Sequence, residues 1–297
     1  MKHTLSILLI TIFSTVNAFD IDINLWTGYR QDEVSARIDA FDPPGTFIVS
    51  NHVEGKDIQL VEFGATAQAR IVSNWWLHGA ASVGSINKGK YSETSATFTS
   101  ESVTKADIYK GDSFDYSVSV GYLIPTTFYS VTLEPVIGWS YDTMRFKIKN
   151  AAADNTPEPT LDGLTYMNKW DGMWLGLIAY YSVGPINIKA GYEYHRPRWH
   201  AQWTLAGPDI PEGAFSDKRK ATRAWGNVFF VDTNYLIQDN WDAGLGLKYG
   251  LWQARDGYEH PKAGSFPDVG YSAEEQDQVP FANWKSFQVR FTSNFYY

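Results

Sequence analysis

The chain has 297 residues, no cysteine and a formal net charge of -8 at pH 7. The lack of cysteine excludes disulfides, thiolate metal sites and cysteine nucleophiles, and the acidic balance argues against nucleic acid as a partner. No stretch approaches 18 consecutive apolar residues, which excludes helical membrane spans. Aromatic residues make up 16% of a chain whose mean hydropathy is only -0.30. This combination is typical of a membrane β-barrel with a polar interior, although a large soluble β-sandwich could share it.

The first residues predict a signal peptide. Lys2 provides a basic start, an apolar run follows over residues 5–13, and small or neutral residues at 16–18 precede a cleavage site. The run is shorter than the ~20 residues that a membrane-spanning helix needs, which favours cleavage over an anchor. We therefore predict a signal peptide over residues 1–18 and one exported domain, an outer-membrane β-barrel, over residues 19–297.

Alternation of apolar and polar residues predicts ten strands along this domain. Their predicted spans are 20–30, 57–72, 75–86, 113–124, 129–149, 169–182, 186–203, 222–237, 241–255 and 283–297. Four tight connections are the predicted periplasmic turns, namely Ser73-Asn74, Pro125-Thr126-Thr127, Gly184-Pro185 and Gln238-Asp239-Asn240. The long polar stretches are the predicted extracellular loops, at 31–55, 87–112, 150–168, 204–221 and 256–282. We predict an all-β transmembrane antiparallel barrel of about ten strands in the bacterial outer membrane, with periplasmic termini.

The last predicted strand shows which face meets lipid. Its mainly apolar set is Phe287, Val289, Phe291, Ser293, Phe295 and Tyr297, and mainly polar residues occupy the alternate positions. On the fourth strand the lipid-facing set is Phe114, Tyr116, Val118, Val120 and Tyr122. A terminal aromatic residue such as Tyr297 resembles the signal that the bacterial barrel-assembly machinery reads, and we expect that machinery as a partner during biogenesis.

The opposite faces of the strands carry charges that do not suit a lipid-exposed wall. We predict that the lumen is lined by Glu62, Arg70, His78, Glu134, Lys189, Glu193, Lys248 and Arg290, together with Gln68 and His195. A barrel of about ten strands lies near the size that side chains fill, so these groups fit either a salt-bridged plug or a narrow water-filled path. The segment His195–His200 holds two histidines and two arginines, and we predict a basic patch at the pore mouth or loop base because no third metal ligand is evident.

Two segments carry a family resemblance. Residues 138–145 read Gly-Trp-Ser-Tyr-Asp-Thr-Met-Arg, and residues 174–177 read Trp-Leu-Gly-Leu. They resemble the fifth and sixth strands of the omptins, a family of outer-membrane proteases, and the similarity of topology extends over most of the predicted barrel. The resemblance implies an omptin-like barrel of ten strands.

The corresponding loops lack the residues that omptins use for catalysis. Omptins activate water with Asp-x-Asp in the second loop and Asp-x-His in the fourth, and such chemistry needs a base within hydrogen-bond reach of the water. Residues 87–107 contain no Asp-x-Asp, and residues 200–209 contain no Asp-x-His. Scattered candidates, more typical of a solvated loop surface, are Glu93, Asp107, His200 and Asp209. We therefore expect no enzymatic activity, no cofactor and no metal, and the chain resembles the non-proteolytic outer-membrane proteins and porins of chlamydia-like bacteria.

A lipid site of the omptins is better preserved. Omptins hold lipopolysaccharide on the outer wall near the extracellular rim through aromatic, acidic and basic residues. The resemblance implies lipopolysaccharide binding at outward-facing positions near the rim, and these are Tyr141, Arg145, Lys169 and Arg223. Thr143 stands where the family has an acid, and rim cations also reach the headgroups of any lipid.

Three functions remain open from the sequence. We favour a narrow, porin-like channel for small solutes, because the predicted lumen is charged. The alternative is a non-catalytic surface, adhesive or structural barrel that acts through its loops. An omptin-like endopeptidase is third, because both of its motifs are missing.

Overall fold

The computed structural model describes residues 20–42, 46–125, 131–207, 210–261 and 277–297. The strands are β1 Ile21–Asp42, β2 Thr46–Val72, β3 Trp75–Ala96, β4 Glu101–Tyr122, β5 Ile124–Pro125, β6 Val131–Ala153, β7 Thr156–Pro157, β8 Thr165–Val183, β9 Ile186–Gly207, β10 Ile210–Ala221, β11 Arg223–Gln238, β12 Trp241–Pro261 and β13 Asp277–Tyr296. A single 3-10 turn covers Pro159–Leu161. Within the described ranges, no helix is long and apolar enough to span a membrane. The predicted signal peptide lies outside the described residues.

The long strands pair antiparallel with their neighbours and form a closed ring. β13 pairs with β12 on one side and with β1 on the other, which closes the sheet. β10 and β11 share one position in the wall, because each pairs with β9 and with β12. The wall therefore has ten positions, and the short β5 and β7 only extend the edge of β6. The prediction of an antiparallel barrel of about ten strands is confirmed.

One end of the barrel carries the tight turns and both ends of the described chain, and we call it the short-turn end. Ser73-Asn74 joins β2 to β3, and Gly184-Pro185 joins β8 to β9. Ser73 and Gly184 adopt positive φ angles of 48° and 56°, the conformation that such tight turns require. The amide of Tyr297 donates a 2.9 Å hydrogen bond to the carbonyl of Ile21, which joins the two ends of the described chain at this rim. Residues 126 and 127 of the predicted second turn lie outside the described residues.

The opposite, loop end of the barrel differs from the prediction. Most of the residues expected in loops are strand, because β1 continues to Asp42 and β2 begins at Thr46. Along β1 the side chains continue to alternate between the two faces, but the apolar residues move from the outer face to the inner face. Leu25 and Tyr29 are exposed on the outer wall, whereas Val34 and Ile38 are buried inside. The prediction of long loops was wrong. The outer face of these segments is polar, which suggested loops, although their residues alternate between two faces as in a strand.

An apolar band surrounds the outer wall at the short-turn end. One exposed member from each wall position is Leu25, Phe63, Leu77, Val118, Ile137, Leu175, Tyr192, Phe229, Leu245 and Phe291. We call this band the membrane belt. Its exposed members extend from Trp75 to Val83 on β3 and from Phe229 to Ile237 on β11, and a tilted strand needs about nine to eleven residues to cross the hydrocarbon layer. The strands are much longer than this, so their loop-end halves extend beyond the belt.

Candidate functional site

The inside of the loop-end half is filled by a hydrophobic core. Eight of its buried members are aromatic, and two of them, Trp252 and Trp284, also line the cavity described below. We call the other six the aromatic plug: Tyr91, Phe146, Tyr166, Trp170, Trp199 and Trp203. The rings of Tyr91 and Trp203 lie 5.9 Å apart although β3 and β9 are not neighbours in the wall. Trp170 likewise contacts Trp252, on the non-adjacent β12, at 5.8 Å. Contacts between opposite walls close this part of the lumen, in the way that a soluble β-protein packs its core.

The phenols of the aromatic plug remain neutral. Burial raises the pKa of Tyr166 to about 12. Burial and the adjacent Glu93 carboxylate raise the pKa of Tyr91, whose hydroxyl donates a 2.7 Å hydrogen bond to Glu93. The plug therefore gains no charge from its tyrosines over the physiological pH range.

A buried ionic network lies next to the core. The guanidinium of Arg30 contacts Asp32 at 2.9 Å, Glu62 at 2.7 Å and Asp115 at 2.6 Å. Glu62 is fully buried and also accepts hydrogen bonds from Ser113 and from Gln288. Because Asp115 lies on β4, this network joins strands that are not neighbours.

A cavity of about 500 Å³ occupies the lumen on the short-turn side of the plug. A smaller cavity of about 250 Å³ shares Asp22, Gln68, His78 and Tyr180 with it and lies nearer the short-turn end. The walls carry both polar groups and aromatic rings, among them Trp174 and Trp284. The lumen is thus polar at the level of the membrane belt and apolar beyond it, the reverse of the outer wall.

The predicted lumen residues occupy several places. Those that line the larger cavity are Gln68, His78, Lys189, Glu193, His195, Lys248 and Arg290. Glu134 lines the smaller cavity and accepts 2.6 Å hydrogen bonds from Tyr180 and from His78. Glu62 belongs to the buried network. Arg70 lies at the end of β2, where it pairs with Asp20 and covers the Trp76 ring.

Two carboxylates in the cavity wall have close partners, and a glycine provides the space for one of these contacts. Arg290 pairs with Asp232 at 2.7 Å, across β12. Gly246 lies beside them, and a Cβ there would approach Asp232 Oδ1 to 2.1 Å. His195 contacts Glu193 at 2.9 Å. These pairs occupy the carboxylates of Asp232 and Glu193.

Sequence reasoning missed part of the cavity. Arg30 ended its predicted strand, at the border of a predicted loop, and was therefore given no face. Asp142 lines the cavity, and its position between outward-facing Tyr141 and Thr143 could have identified it. The contacts that Trp174 and Trp284 make inside the barrel could not be predicted from the spacing of residues in the sequence.

The predicted lipopolysaccharide residues all lie on the outer wall but do not form one cluster. The ammonium of Lys169 lies 4.6 Å from the centre of the Tyr141 ring. Arg145 pairs with Asp112, and Arg223 pairs with Asp256. Lys169 also approaches the buried Asp171 at 3.4 Å.

The segment His195–His200 is divided between the two faces of the wall. His195 is buried in the lumen, where its ring stacks on Trp174. Arg198 and His200 lie outside and approach Asp171 at 2.6 Å and 3.8 Å. The prediction of one basic patch was therefore wrong, because alternation along β9 continues through Pro197.

The scattered candidates for catalysis also lie apart. Asp107 is on the outer wall, where hydrogen bonds from Lys90 at 2.7 Å and from Asn150 at 3.0 Å lower its pKa. Glu93 is bonded to Tyr91 of the plug, and His200 is on the outside of β9. Asp209 lies outside the described residues. Among the residues that the structure describes, no three His, Asp or Glu side chains are placed to hold a metal ion.

Comparison with known proteins places the chain among outer-membrane barrels. A family model described as Pom, Protochlamydia outer membrane protein, matches residues 24–297. The crystal structure of the outer membrane protease OmpT from Escherichia coli superposes with a TM-score of 0.72 at 8% identity, over 95% of this chain and 99% of that one. A FadL homologue from Pseudomonas aeruginosa gives 0.30 at 9% identity, over 93% and 90%. No curated protein matches the sequence. The likeness to OmpT concerns the fold alone.

Proposed function

Because the chain belongs to the family of Protochlamydia outer membrane proteins, we propose that it is a closed surface barrel of the outer membrane that does not conduct solutes. The observation that carries this proposal is the aromatic plug. Trp170 and Trp199 are fully buried, and rings from opposite walls touch. A lumen packed in this way leaves no water path, and apolar constrictions resist wetting even when they are wider.

The loop-end half supports a surface role. Its core is that of a soluble β-protein, whereas its outer wall is polar and extends beyond the membrane belt. Exposed lysines on the adjoining strands β3, β4 and β6 are Lys88, Lys90, Lys105, Lys110, Lys147 and Lys149. We infer that this half is extracellular, with the termini and short turns in the periplasm, as in other bacterial barrels.

A narrow channel is the second candidate, and the polar cavity of about 500 Å³ at the level of the membrane belt favours it. For solutes to pass, the aromatic plug would have to move. The separation of Glu93, Asp107 and His200 supports the absence of omptin-type catalysis, because these three side chains do not converge on one water site.

Purified protein in a planar lipid bilayer should give no discrete conductance steps. The physical reason is the packed core between the cavity and the loop end. The measurement is single-channel current at applied voltage, with heat-modifiable gel mobility as the check that the barrel is folded. Reproducible steps from folded protein would contradict the proposal and favour the channel.

We also propose lipopolysaccharide as a lipid partner of the outer wall. The support is the pair Tyr141 and Lys169, a cation over an aromatic ring, with Arg145 on the same strand as Tyr141. The exposed lysines just beyond the membrane belt would face the same anionic headgroups. Cations in such positions attract anionic lipid by about 1 kcal/mol each.

The double substitution Arg145→Ala and Lys169→Ala should weaken lipopolysaccharide binding by about thirtyfold, because the two lost cations together remove about 2 kcal/mol of attraction. Binding to refolded protein in detergent can be measured by isothermal titration calorimetry. Lys285→Ala is the matched control, since Lys285 is an exposed cation that pairs with Glu33 on another part of the wall. An unchanged affinity in the double variant would refute the assignment of these residues.

A further inference from the structure

We propose that the lumen cavity is a binding site for a small carboxylate-bearing solute that enters from the short-turn end. The cavity of about 500 Å³ continues into the smaller one towards that end, and the aromatic plug closes the other end. A solute of a few carbon atoms fits this space. The inference goes beyond the closed surface barrel and does not require conduction.

Two lysine ammonium groups in the cavity wall form no close ion pair with a described residue, although Asp232 and Glu134 attract Lys189 and Asp142 attracts Lys248 from a greater distance. Within the described part of the chain, neither Lys189 nor Lys248 has a carboxylate within 4.0 Å of its ammonium. The ammonium of Lys189 faces the rings of Tyr180 and Phe230, at 5.6 Å and 5.9 Å from their centres. Both lysines are half-buried. An ammonium withdrawn from water without a hydrogen-bonded partner is costly, and an anionic ligand would supply that partner.

The nearby acids are occupied by other donors. Asp232 pairs with Arg290, and Glu193 accepts from His195. Asp22 accepts a hydrogen bond from Gln68, and Asp115 accepts one from Arg30. The groups left over are therefore mainly donors, which favours a ligand rich in acceptor oxygens.

Buried indole groups add two more free donors. Trp174 and Trp284 line the cavity and are 5% and 2% exposed, yet neither Nε1 atom has an acceptor among the described residues. Buried N–H groups are rarely left unpaired in native proteins. Asp142, also in the cavity wall, has one carboxylate oxygen without a donor. A carboxylate-bearing solute that also carries a hydroxyl or ammonium group would accept hydrogen bonds from the free donors and donate one to the free oxygen of Asp142.

Malate is the probe that matches this arrangement, because it has two carboxylates and one hydroxyl. Titration into refolded protein in detergent should change the intrinsic tryptophan fluorescence saturably, since Trp174 and Trp284 line the site. Malamide, its neutral diamide, should not bind. Lys189→Met and Lys248→Met should each raise the Kd for malate by at least about tenfold, the loss expected for a hydrogen bond to a charged group.

Control variants separate binding from folding. Lys285→Met removes an exposed ammonium from the outer wall and should leave the Kd unchanged. Lys248→Arg keeps the charge and should recover part of the affinity. Trp174→Phe keeps a ring and removes one N–H donor, so a several-fold weaker Kd is expected even if the methionine variants do not fold. The proposal is overturned if malate gives no saturable change, if malamide binds equally well, or if folded Lys248→Met and Trp174→Phe both keep the original Kd.

Discussion

The combined substitution Phe146→Ala and Trp170→Ala should convert a silent barrel into one that conducts ions. Both side chains are fully buried in the aromatic plug, and Trp170 bridges to Trp252 on a non-adjacent strand. Their truncation removes ring contacts between opposite walls while the closed hydrogen-bonded sheet remains. Water can then connect the polar cavity with the loop end. Single-channel recording in planar bilayers should show discrete steps that the unchanged protein lacks.

A matched control for this gain of conductance lies on the outer wall. Phe114→Ala and Trp225→Ala also remove one phenylalanine and one tryptophan ring, but both side chains face outwards and should leave the bilayer silent. The plug variant should be less stable than the control by several kcal/mol, since aromatic truncation in a core typically costs about 3–5 kcal/mol per side chain. A plug variant that folds and stays silent would show that another part of the barrel prevents conduction.

Arg30→Met should lower the free energy of unfolding by about 3–5 kcal/mol. Arg30 is the cation that contacts Asp32, Glu62 and Asp115, and its removal leaves carboxylates buried without their partner. The free energy can be measured by urea unfolding of the protein in lipid vesicles, followed by tryptophan fluorescence. Surface ion pairs are worth far less, about 0–1 kcal/mol.

Two further variants test the cause of that loss. Arg145→Met breaks the exposed pair with Asp112 and should cost no more than about 1 kcal/mol. Glu62→Gln added to Arg30→Met removes one of the stranded charges and should restore part of the lost stability. If Arg30→Met were no more harmful than Arg145→Met, the network would contribute nothing beyond a surface pair.

Much of the barrel could be predicted from strand alternation. The apolar sets that end in Tyr122 and Tyr297 lie on the outer face, as predicted. The turns at Ser73-Asn74 and Gly184-Pro185 are also where small and polar residues between apolar segments predicted them. The loops could not be predicted by polarity. Beyond the membrane belt the outer face of the wall is polar and the inner face is apolar, so Val34 and Ile38 point inwards into the core.

The sequence by itself determined the closed antiparallel barrel, the lipid-facing side of its strands and the presence of charged groups opposite that side, because side chains alternate strictly along a strand. Only the tertiary structure decided that Trp170 meets Trp252, that Arg30 contacts three carboxylates, and that Lys189 and Lys248 form no close ion pair with a described residue. The physical reason is that alternation assigns a side chain to the inside or the outside of the wall. It contains no information on how near the opposite wall lies, and that distance decides whether the lumen is filled, paired or left open for a ligand.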